Sequence, residues 1–81
     1  MELKDTIGMM QSDDYKERFK AEYYQTVIRY RKLHDMLVKA DAGILEFTPT
    51  CPLDVLRIQK SAMGQYLYQL EIRAKIEKIE L

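Results

Sequence analysis

Eighty-one residues carry a single cysteine (Cys51), a single histidine (His34), two prolines, three scattered glycines and no tryptophan. One cysteine excludes an intrachain disulfide, and one cysteine with one histidine cannot assemble a familiar zinc set. Isolated glycines cannot build a phosphate-cradling loop, and no GxSxG, Walker, HExxH or GxGxxG pattern occurs. Cys51 sits beside Pro52 with nothing resembling a third, orienting group, so it reads as a loop cysteine and His34 as a surface or seam histidine. No catalysis, metal or cofactor is expected. Net charge is also absent: thirteen basic residues offset thirteen acidic ones. That argues against a coat for duplex nucleic acid, and no short helix-turn-helix spacing suggests a DNA regulator. The N-terminus lacks a basic stretch followed by an apolar run, and no segment is long and apolar enough to cross a bilayer, so the expected compartment is the cytoplasm.

What is present is helical periodicity. Hydrophobic residues make up 47% of the chain, which is unlike a disordered composition. Residues 2–11 form a short amphipathic segment with Leu3, Ile7 and Met10 at i, i+4, i+7; it is marginal alone and must dock elsewhere. Ser12-Asp13-Asp14 starts a long helix over 13–41, with cap and carboxylates where the helix dipole favours them. Phe19, Tyr23, Thr26, Tyr30, Leu33, Leu37 and Ala40 step by four and three along it, a coiled-coil-like seam that Val27, Ile28 and Met36 widen. Gly43 ends the helix, and Pro49 and Pro52 keep the connector, 42–51, out of helix. Leu45 and Phe47 are placed to cap the open end. Pro52 fits a first helical position, and the last helix is expected over 52–79. A short connector makes the two long helices antiparallel neighbours. The fold class is all-α: one domain, 1–81, built as a helical hairpin.

The last helix is apolar on two sides. Leu56, Met63, Leu67, Leu70 and Ala74 make one face. Ile58, Ala62, Ile72, Ile76 and Ile79 fall mostly on another, because Leu70 and Ile72 stand about 200° apart around the helix. A hairpin needs one buried stripe per helix. The second stripe is expected to meet another chain, making the protein a homo-oligomer, one common remedy for a small core.

Six tyrosines against two phenylalanines tilt the aromatic set toward rings that keep a hydroxyl. Tyr23, Tyr30 and Tyr66 fall on the seams and read as core. Tyr15, Tyr24 and Tyr68 lie off them, free to stack on a base or a partner chain. Arg29, Arg31, Lys32 and Lys39 form a basic run with Asp35 the one acid among them; this is a solvated face or, beside spare rings, a cation set for phosphate. Gln59 and Arg73 extend the register of Met63, Tyr66 and Leu70. Arg73 there either snorkels, pairs with a carboxylate such as Glu22, or grips an anionic ligand at a subunit boundary.

The pattern Leu56-x-x-Gln59-x-x-x-Met63-x-x-Tyr66-x-x-x-Leu70-x-x-Arg73, preceded by Arg31-Lys32-Leu33 and a proline-containing loop, resembles small bacteriophage helical-hairpin proteins. These include hypothetical proteins of crAss-like phages and are related to the hairpin domain of phage anti-CBASS and anti-Thoeris sponges. The resemblance spans about residues 15–76. It implies a homo-oligomer, commonly a hexamer, that holds cyclic oligonucleotide signals between protomers in the infected cell's cytoplasm without cleaving them. By position it implies a stacking tyrosine at Tyr15 and polar or phosphate contacts from Lys32 and Arg73. Tyr24 and Arg29 join them as candidate ligand contacts from the residue pattern. The alternative is a helical adaptor or inhibitor that binds a host or phage protein and no nucleotide.

Overall fold

The computed structural model describes residues 1–81 and contains helices and no strands. A 3-10 turn, Leu3–Thr6, runs directly into a single helical turn, α1 (Ile7–Met10). Two long helices follow, α2 (Tyr15–Asp41) and α3 (Leu53–Glu77), packed as a hairpin.

Local chemistry sets the ends. The Asp14 side chain accepts from the Lys16 amide at 2.9 Å, and the Ser12 hydroxyl oxygen accepts from the Asp14 amide at 3.1 Å, so α2 opens with two of its free donors matched. At its far end Gly43 adopts φ 76°. The Gly43 amide then donates to Ala40 at 3.1 Å and the Ile44 amide to Lys39 at 2.9 Å, the Schellman closure that a left-handed residue permits. Pro52 caps α3 from just outside the helix, so α3 begins at Leu53. An Arg57–Asp41 bidentate pair, 3.1 and 2.5 Å, ties the two helix ends across the connector. The hydrogen bond from Arg57 holds the exposed Asp41 carboxyl below its ordinary pKa, and the same bond raises that of Arg57.

α3 stops at Glu77 because Lys78 turns left-handed, φ 58°. The Ile79 amide then donates to the Ala74 carbonyl at 2.8 Å. This folds Ile79 back into a cluster with Phe19, Leu70 and Ala74, where it is 6% exposed. Ile79 therefore belongs to the hairpin's own core and not to the outward stripe expected from spacing; the helical register ends two residues before it. Lys78 has a Cβ in a conformation that costs an L-residue about 1–2 kcal/mol. Lys78→Gly is expected to raise stability by about 1 kcal/mol, read as a higher urea midpoint by circular dichroism.

The N-terminal turn packs on α2 alone. Its buried residue is Thr6, 0% exposed, whose hydroxyl donates to Leu3 at 2.7 Å and accepts from Gln25 at 2.8 Å. Ile7 and Met10, expected to dock, are exposed, while Leu3 and Met9 are half-buried. The reason is the 3-10 start: three residues per turn aligns Leu3 with Thr6, not with Ile7. Ala21, about 200° around α2 from Phe19, is buried at 1% on this side. α2 is thus the middle layer between α3 and the N-terminal turn.

Little of the chain is covered. Eight residues of 81 are buried, and 6000 Å² stays exposed, against about 5,100 Å² for a compact monomer of this mass. The radius of gyration is 14.9 Å where about 11.7 Å is ordinary. Phe47 and Ile44 in the connector are exposed and do not cap the open end, and Leu45 is half-buried.

Candidate functional site

An open groove of about 1060 Å³ lies between α2 and α3, toward the connector. From α2 come Tyr30, Leu37, Val38 and Asp41; α3 adds Arg57, Lys60, Ser61, Gly64 and Tyr68 along one side, with Ala62, Gln65, Tyr66 and Gln69 also lining it. The α3 set follows from helical spacing, since 57, 60, 61, 64 and 68 are i, i+3, i+4, i+7 and i+11.

Gly64 faces Tyr30 across the groove. A Cβ there would lie 3.4 Å from Tyr30 Cε2, ordinary contact, so a methyl would just fit against the ring and a longer side chain would not. The Lys60 ammonium stands 5.9 Å from the Tyr30 ring centroid and forms no ion pair. His34 lies parallel to the same ring, centroids 6.4 Å apart and planes 10° apart. Arg57 is already committed to Asp41. The groove therefore combines tyrosine faces, amide edges and one uncommitted cation. Such a set can stack a flat ring and neutralise an anion.

The residues singled out from sequence lie elsewhere. Arg73 lies at the edge of the interhelical seam with its head in solvent: its guanidinium stacks 4.8 Å from the Phe19 ring centroid, and Nε donates to Glu77, not Glu22, at 3.0 Å. That places it near the end of α2 that carries Tyr15, which is exposed one turn before Phe19. Lys32 is seventeen residues from Tyr15, about 26 Å along α2. Arg29 and Lys32 are exposed, and Tyr24 is half-buried with its ring edge-on to Tyr23 at 5.5 Å. One chain does not bring Tyr15, Lys32 and Arg73 together. Lys60, Gly64, Gln65 and Gln69 were missed, although an uncapped glycine inside a long helix was a signal for close approach.

Tyr23 closes the other end of the helix pair. Its hydroxyl donates to Glu71 Oε2 at 2.7 Å, and its pKa is pushed up to about 12, first by burial and then by that carboxylate. The folded value lies above the ordinary 10. The contribution is therefore intact below pH 10 and is lost as pH rises through 12. Stability is expected to fall across that window, and Tyr23→Phe should flatten the fall in urea midpoints taken at pH 9 and 11.5.

A family model described as Sequestin matches residues 13–76, covering α2, the connector and nearly all of α3. The chain belongs to the Sequestin family. The family's name denotes sequestration, holding a ligand and not converting it. No curated protein and no solved structure matches the chain. No helix is long and apolar enough to cross a membrane, and no three His, Cys, Asp or Glu side chains converge as for a metal.

Proposed function

We propose that this chain is a phage-encoded immune-evasion protein that binds and sequesters a cyclic oligonucleotide signal of bacterial antiphage defence, in the host cytoplasm and without cleaving it. The carrying observation is the α2–α3 groove, where Tyr30 and Tyr68 line the wall and Lys60 is a cation in no salt bridge. Membership of a family named for sequestration supports holding over turnover. Bases would stack on the tyrosines, the Ser61 hydroxyl would meet polar edges, and Lys60 would face phosphate.

Tyr15, Tyr24, Arg29, Lys32 and Arg73 join this reading as contacts made where protomers of the homo-oligomer meet, since the lengthwise separation within one chain is too great for a shared ligand. A hexamer suits that role.

Titration of the purified protein with cyclic di- and trinucleotides by calorimetry tests the reading. Dissociation constants tighter than about 10 μM, roughly 7 kcal/mol, are expected for at least one, with the nucleotide recovered unchanged. Absence of binding would leave the second reading, a helical adaptor or inhibitor of a host or phage protein. That alternative is favoured by the exposed Ile58 and Ile76 on α3.

A further inference from the structure

The outward face of α3 is almost a mirror of itself. Gln65-Tyr66-Leu67-Tyr68-Gln69 reads the same in both directions. Around Leu67 the outward positions also match in pairs: Ile58 with Ile76, and Ala62 with Ile72. These positions with Gln65 and Gln69 form a band opposite the buried Leu67, Leu70 and Ala74. The band contains no charge, and its two ends are strongly exposed, Ile58 at 71% and Ile76 at 74%.

We propose that α3 pairs with α3 of a second copy, antiparallel, about a twofold axis at Leu67. A twofold contact requires that residue i meet j while j meets i, and this pattern satisfies it. Ile58 meets Ile76 of the second copy, the small Ala62 receives the larger Ile72, and Gln65 meets Gln69. The area agrees: exposed surface exceeds that of a compact monomer by about 900 Å², close to the roughly 800 Å² each partner buries in a standard interface. Charge-free cores are also what such interfaces favour.

The pairing has a consequence for the groove, and here the inference rests on the sequestration reading. The axis runs across the two helices, so each flank of the band in one copy meets the same flank in the other. Arg57, Ser61 and Tyr68 occupy one flank. The two Tyr68 side chains therefore stand beside each other at the axis, and the two grooves open on the same face of the pair, one on either side of the joined α3 helices, each with its own Lys60.

Single-thiol chains test the register. In a Cys51→Ser background, Ile58→Cys and Ile76→Cys chains mixed, refolded together and oxidised are expected to cross-link to each other, and neither is expected to cross-link alone. Two copies of position 58 lie about 27 Å apart along the pair, far beyond disulfide reach. Self-cross-linking of Ile58→Cys, failure of the mixture, or a wild-type monomer by light scattering at about 100 μM overturns the pairing. Ile58→Glu, at an exposed position, should yield a monomer with unchanged helicity; a dimer there also overturns it. Nucleotide titration separates the two ideas. A pairing chain that binds no nucleotide defeats sequestration alone, and a monomer that still binds defeats the pairing alone.

Discussion

Leu70→Ala is expected to lower stability by about 3 kcal/mol, within the range for deleting a fully buried leucine. Leu70 is 1% exposed and joins α2's Phe19 to Ala74 and Ile79 at the tail. With eight buried residues, nothing nearby can collapse into the space, and Ile79 is held there only by a two-residue reversal after α3. A domain of this length commonly has about 4–12 kcal/mol in total, so the loss is a large share. The melting temperature should drop on the order of 15 °C, followed at 222 nm because the chain has no tryptophan. Ile76→Ala is the control: at 74% exposed it costs the isolated hairpin under about 0.5 kcal/mol. A comparable loss at both positions would mean that the core is not where Leu70 sits. A loss at Ile76 that grows with protein concentration would instead report the second chain.

The long helices were legible because periodicity and punctuation agree along them. Phe19 and Leu37 on α2, and Leu67, Leu70 and Ala74 on α3, are buried on the faces their spacing marks. Legibility failed where backbone geometry departs from 3.6 residues per turn. The 3-10 start exchanged Ile7 for Thr6 as the docking residue, and the left-handed Lys78 carried Ile79 from an outward stripe to the core. The connector misled in another way: alternation at Leu45 and Phe47 has meaning only if a surface lies opposite, and α2 and α3 are already closed there by Arg57 and Asp41. For the site, residue types were informative and positions were not. Tyrosines and uncommitted cations are abundant; seventeen residues of one helix already separate Lys32 from Tyr15, but a one-dimensional pattern cannot tell that Lys60 and Tyr30 meet across helices.

The second large effect is on binding. Lys60→Gln should weaken the cyclic nucleotide at least tenfold, because a charge-assisted contact to phosphate is worth about 1.5–3 kcal/mol and this ammonium is in no salt bridge, acting on the groove's Asp41 only through space. Stability should hardly move, since the side chain contributes only a distant cation–ring contact at 5.9 Å. Gly64 supplies the steric counterpart. Gly64→Ala places its methyl in ordinary contact with Tyr30 and replaces a poor helix former, so about 0.5–1 kcal/mol of stabilisation with binding retained is expected. Gly64→Leu drives into the Tyr30 ring itself, so it should displace that ring, weaken binding and cost about 1–3 kcal/mol of stability. Arg73→Ala decides between locations. Its guanidinium is occupied by Phe19 and Glu77 within the chain, so its removal should cost about 0.5–1 kcal/mol of stability. If Arg73→Ala weakened the nucleotide tenfold and Lys60→Gln did not, the ligand would have to lie at the Tyr15 end, between chains. The groove would then be merely the gap left where a glycine lets two helices approach.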